Sequence, residues 1–81
     1  MDVKQLKGFV VKKLFHHSYI GGRHTSVENL KKGLPDHFRG DVKDVVRELV
    51  KEGILLPKPT STGLHVSLNP RKRIEIDAYL H

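Results

Sequence analysis

Cysteine is absent from the 81 residues, so neither a disulfide framework nor a thiolate zinc site can hold this chain together. Nucleophilic cysteine chemistry is excluded with it. No glycine-rich phosphate loop occurs, no serine sits in an elbow motif, and no carboxylate pair lies off a helical surface; the constellation an enzyme needs is missing, and no cofactor is expected. Six histidines (His16, His17, His24, His37, His65 and His81) show no tight ligand spacing, so no metal site is expected either. Long apolar runs are lacking. Nothing approaches the ~18 residues of a membrane span, and the amino-terminal stretch has no uninterrupted apolar core of the signal-peptide kind, which predicts a cytoplasmic protein without a membrane partner. Acidic residues are scarce, 9 Asp plus Glu against 15 Lys plus Arg, for a formal charge of +6 and an isoelectric point near 9.8. Such a balance points to a polyanionic partner, nucleic acid ahead of an anionic membrane surface. The excess sits early: 8 basic against 3 acidic residues through Gly40, and 7 against 6 beyond it.

What is present is organised around Phe38–Glu52, FRGDVKDVVRELVKE. Phe38, Val42, Val45, Val46, Leu49 and Val50 recur at the i, i+3, i+4, i+7 spacing that stacks side chains on one helical face, and this face is assigned to the core. Arg39, Lys43, Arg47 and Lys51 fall on a second arc; Asp41, Asp44, Glu48 and Glu52 fill a third. A helix so divided can lay its basic flank on a polyanion and turn its acidic flank away. It can equally be a solvated helix laced by Asp44–Arg47 and Glu48–Lys51 pairs. At this length the chain makes one domain, residues 1–81, that buries only about 60% of its unfolded surface, so the apolar positions should serve a single core.

Before the central helix, Asp2 and Gln5 form a plausible cap for a first helix running to about His16, with Val3, Leu6, Val10 and Leu14 on a stripe widened by Phe9, Val11 and Phe15. Gly8 interrupts it, which costs about 1 kcal/mol relative to alanine or marks the close approach of another element. Lys4, Lys7, Lys12 and Lys13 line the outer side. Ser18-Tyr19-Ile20-Gly21-Gly22 is a loop, Arg23-His24 a short extended piece, and Thr25 with Glu28 a capping box opening a brief second helix that ends near Gly33. Free N–H groups at that start, with Arg23, His24 and the hydroxyls of Thr25 and Ser26 beside them, also read as a phosphate seat. Leu34 to His37 leads into the central helix, Asp36 being a candidate cap, and the short turn makes a helix-turn-helix. Gly40 leaves room for a backbone to approach DNA or another helix, and close packing is the preferred reason.

Gly53 ends the central helix. A strand over Ile54–Pro59 follows, and Pro57 and Pro59, which lack donors on the same side, make it an edge strand. Thr60 to Gly63 connects it to Leu64–Leu68, where Leu64, Val66 and Leu68 should face in and His65 and Ser67 out. Asn69-Pro70 starts a last helix carrying Ile74, Ala78 and Leu80, although Ile74-Glu75-Ile76 also suits a strand. Arg71, Lys72 and Arg73 crowd the positive end of that helix, where a phosphate would offset them.

The order α-β-α-α-β-β-α, read from HTSVENLKKGLPDHFRGDVKDVVRELVKEGIL and then KPTSTGLHVSLNP, resembles the winged-helix (winged helix-turn-helix) family, in particular small archaeal members. The resemblance spans most of the chain. It implies an α+β domain with a three-helix core, a hairpin wing over Lys58 to Leu64 and a carboxy-terminal helix. It further implies that the third helix enters a groove of duplex DNA, as in a transcriptional regulator or a chromatin- or repair-associated protein. On this mapping Arg39, Lys43 and Arg47 are the groove residues and His37 stands at the leading end, supported by Arg23, His24, Thr25, Ser26, Lys31, Lys32 and Lys58. The wing departs from the pattern, since Thr60, Ser61, Thr62 and Gly63 carry no charge. RNA or ribosome association is the rival reading, though the hairpin lacks an aromatic for base stacking. Docking of a protein partner or a second copy through the acidic flank or the last helix is another.

Overall fold

The computed structural model describes residues 3–34 and 36–81, so the expected cap at Asp2 lies outside the described residues. Helix α1 runs Val3–His16 and buries Leu6, Val10, Val11 and Leu14 of the expected stripe, whereas Val3 and Phe9 are 53% and 49% exposed and Phe15 is only partly buried, the assigned arc being wider than the face that packs on the core. It ends where Ser18 takes a left-handed φ of 60° and Tyr19 N–H returns to the Leu14 carbonyl. Strand β1 is only Thr25–Ser26, followed at once by α2, Val27–Lys32, which buries Val27 and Leu30. Here the expected capping box gives way. Ser26, not Thr25, caps α2 by accepting from Asn29 N–H at 3.0 Å, and Glu28 pairs forward with Lys31 at 3.2 Å. Thr25 belongs to the sheet instead, because its backbone pairs with Val66.

The central segment also departs from one continuous α-helix over Phe38–Glu52. It opens as a 3-10 helix, Asp36–Asp41, and becomes α3 at Val42–Lys51. Glycine and aspartate, poor helix formers, sit at the junction, where the tighter turn serves as a lead-in. Asp36 pairs with Arg39 at 3.2 Å rather than capping, and Phe38 is only partly buried at the core margin. Nothing lies within 4 Å of the position of a Cβ on Gly40, so close packing does not account for that glycine. Gly8 does meet a neighbour: the Tyr79 carbonyl would stand 3.9 Å from its Cβ.

Gly53, at φ +80°, ends α3, and the hairpin follows as β2, Leu55–Thr60, and β3, Gly63–Leu68, in full antiparallel register from Leu55↔Leu68 to Thr60↔Gly63. The sheet is antiparallel with order β1-β3-β2. Strand β2 therefore has a free edge, where the prolines were expected. Loop backbone ties onto β3 as well: Gly21 N–H donates to the Leu68 carbonyl, Leu68 N–H to the Tyr19 carbonyl and the Ser67 hydroxyl to the Gly21 carbonyl. That last bond explains why Ser67, expected outward, is buried at 3% exposure. Leu64 keeps its inward side but lies beyond the core and is 40% exposed.

Asn69 caps the 3-10 turn Pro70–Lys72, and α4, Arg73–Leu80, completes the chain. Its inward face is Ile76, with Tyr79 and Leu80 packed on the core margin; Ile74 is 83% exposed and Ala78 exposed too, contrary to the expected stripe. The 3-10 turn sets a phase for α4 that a helix counted from Pro70 would not have. Together these residues make a mixed α+β fold of four α-helices and a three-stranded antiparallel sheet among the described residues. One cluster joins them, in which Leu14, Leu30, Val42, Val46, Leu49 and Val66 are all buried as their periodicity predicts.

Candidate nucleic-acid interface

Helix α3 is held by its acidic side. Lys7 of α1 bonds Glu52 at 2.6 Å and stands 3.5 Å from Glu48, while the Tyr79 hydroxyl of α4 donates to Glu52 at 3.2 Å. The expected Glu48–Lys51 pair is replaced by this link between helices. The hydrogen bond to Glu52 and the nearby carboxylates raise the Lys7 pKa above its ordinary value, against a smaller opposing effect of burial. Burial first, then the Glu52 charge, raises that of Tyr79. Half of the acidic arc is thus turned toward the chain's own lysine.

The basic arc turns the other way. Lys43 makes no ion pair among the described residues, and Arg47 reaches Asp44 only at 4.0 Å with both side chains 76% exposed, an arrangement worth little in water. Both line a cleft of about 480 Å³ between α3 and the hairpin, whose walls are Val46 and Val50 on one side and Pro57 and Leu64 on the other. Across from them, the hairpin tip is uncharged and internally bonded. The Thr60 hydroxyl donates to the Gly63 carbonyl at 2.7 Å and accepts from Thr62 N–H at 3.2 Å.

Of the other expected contacts only Ser26 lines this cleft, beside Glu28. Arg39 sits in the 3-10 lead-in, bound to Asp36, and exposed His37 leans on Phe38 with ring centroids 3.8 Å apart. Lys31 is held by Glu28, and exposed Lys32 ends α2. The phosphate seat at the start of α2 is already occupied by the protein itself. Thr25 is 6% exposed with its hydroxyl accepting from the Asn29 amide at 2.9 Å, and Ser26 is taken up by capping. Arg23 lies over the Tyr19 ring, 5.5 Å from its centroid. His24 and Lys58 belong to the opposite side of the sheet. Paired residues on antiparallel strands point to the same side, so Lys58 and its partner His65 face away from Pro57 and Leu64, which border the cleft.

His65 was not expected at any site. Its Nδ1 lies 2.9 Å from Nδ1 of His24, with the rings edge to face at 4.9 Å between centroids. Partial burial, then the Lys58 ammonium and His65, hold the His24 pKa below the ordinary histidine value. The β1–β3 register brings residues 41 positions apart together, and no local spacing encodes that. The Lys7–Glu52–Tyr79 cluster was missed for the same reason. No group of three or more metal-ligating side chains converges among the described residues, and none of their helices is long and apolar enough to cross a membrane. Comparison with family models, with curated proteins and with solved structures finds no match to this chain.

Proposed function

We propose that this chain is a nucleic-acid-binding domain of winged-helix type that sets the outward flank of α3 on duplex DNA in the cytoplasm. The observation that carries the reading is the opposed use of the two charged arcs of α3: Glu48 and Glu52 are engaged by α1 and α4, while Lys43, without an ion pair among the described residues, and Arg47, paired only with exposed Asp44 at 4.0 Å, line the cleft. The element order supports it, with α2 and α3 as the helix-turn-helix and β2–β3 as the wing. Lys43 and Arg47 are the principal contacts in this reading. Arg39 joins them by releasing Asp36, an exposed pair that is cheap to break. The uncharged tip lies beside the phosphate backbone as a spacer rather than as a hand that grips it.

A salt-titrated binding assay with duplex DNA tests this. If each cation neutralises one phosphate, Lys43→Ala lowers the slope of log affinity against log salt by about 0.9 in magnitude. Asp44→Ala leaves affinity unchanged or raises it, because that carboxylate repels the backbone. Duplex binding that survives Lys43→Ala and Arg47→Ala together would remove α3 from the interface.

A further inference from the structure

Two long stretches of the sequence, residues 3–27 and 53–74, contain no Asp or Glu at all. The fold brings their ends together: the loop after α1 is laid on β3 by three hydrogen bonds. The result is a surface on the outer side of the sheet, where His24, Lys58 and His65 gather without a carboxylate from either stretch, with Arg23 next to His24 in the loop. A depression of about 190 Å³ lies there, lined by Gly21, Gly22, His24, Leu56, Lys58 and Ser67 among others. We propose that this outer sheet face is a second nucleic-acid-binding surface, taking the phosphate backbone of another segment, and that the His24–His65 pair sets its charge by proton uptake.

The partner's chemistry follows from the charges: cationic groups on two strands and a loop, beside open glycine backbone, suit a chain of phosphates. The proton dependence follows from the 2.9 Å contact. One Nδ1 must donate and the other accept, so in the neutral pair the accepting ring carries its proton on Nε2. A first proton from solvent goes to Nε2 of the donating ring and leaves the bond in place. A second takes the lone pair of the accepting Nδ1, ends the bond and leaves two imidazoliums facing Lys58. Lys58 from β2 and His65 from β3 are the charged or titratable groups that oppose the protonation of His24, while Arg23, its neighbour in the loop, lies over the Tyr19 ring. Phosphates laid on this face reverse that opposition. Binding here therefore takes up protons, and it strengthens as pH falls through the histidine range.

This inference rests on the nucleic-acid reading for its ligand but not for its location. Backbone amide shifts of the isotope-labelled chain, titrated with a short DNA duplex at about pH 7.5 and about pH 5.5, either side of the ordinary histidine value, separate the two. The expected result is perturbation around Lys43 and Arg47 at both values, and around His24, Lys58 and His65 chiefly at the lower. The salt slope should steepen at the lower pH by roughly 0.9 for each imidazolium that meets a phosphate, and His65→Gln should remove part of that steepening. Perturbation confined to α3 at both pH values overturns the second surface and leaves the first standing. Perturbation confined to the outer face does the reverse, and none at either face overturns both. Imidazole signals of the unmutated chain give an independent check: two rings that titrate independently of one another would disprove the pair.

Discussion

Leu49 is fully buried in the last turn of α3, and the cost of emptying its place is set by how little the surrounding core can collapse. Leu49→Ala should lower stability by about 2–5 kcal/mol in chemical denaturation; a loss below about 0.5 kcal/mol, typical of exposed positions, would put it outside the core. Glu52 makes a different kind of prediction. It contributes to raising the pKa of both Lys7 and Tyr79. A raised folded-state pKa gives stability that is complete below the unfolded value and is lost as pH climbs through the folded one. Stability should therefore fall above about pH 10, where unfolded lysine and tyrosine begin to lose protons, and Glu52→Gln should flatten that decline. Equal alkaline slopes for the two proteins would show that the contact is not maintained in solution. The Leu49 position was legible from its spacing alone. The Glu52 contacts were not, since periodicity reports which arc of a helix is acidic but not what packs against it.

Among the elements, legibility followed the range of the interactions that set them. Helix α1 ends where its stripe does, and Asn69-Pro70 starts the last helical segment because cap and proline act within one turn. The junction at Gly40–Asp41 and the two-residue β1 were misjudged: the first depends on a choice between two hydrogen-bond patterns, and the second exists only through β3. The phase of α4 failed likewise, by the few residues of 3-10 turn that precede it. Two glycines now separate by cause. Gly40 has a negative φ and open space, so Gly40→Ala should stabilise by about 0.4–1 kcal/mol through the unfolded chain. Gly53→Ala should destabilise by about 1–2 kcal/mol, because its φ of +80° is left-handed and an added Cβ would stand 3.1 Å from Lys72 Cε. Thermal melts of the two variants shifting in the same direction would break this assignment.

At the scale of the molecule, charge is sorted more sharply than composition reveals. Net charge and the basic arc of α3 were readable from the chain, but the grouping of expected contact residues was not. The fold divides them between the α3 cleft, the outer sheet face and the solvent around α2, since each depends on which strand lies beside which. With its core closed by aliphatic side chains and no converging metal ligands among the described residues, the fold should melt at the same temperature with and without a chelator. A marked drop in chelator would reveal a structural ion.

The free edge of β2 has a consequence for how copies of this chain meet. An unpaired strand border is a template on which another strand can add, the first step toward fibrils and exchanged hairpins. Pro57 and Pro59 withhold the donors such growth would need, and β1 is too short at two residues to template it from the other side. Crowding the protein onto a polyanion, where local concentration climbs steeply, should therefore not drive it into cross-β aggregates, and self-association there must pass through helices rather than through the sheet.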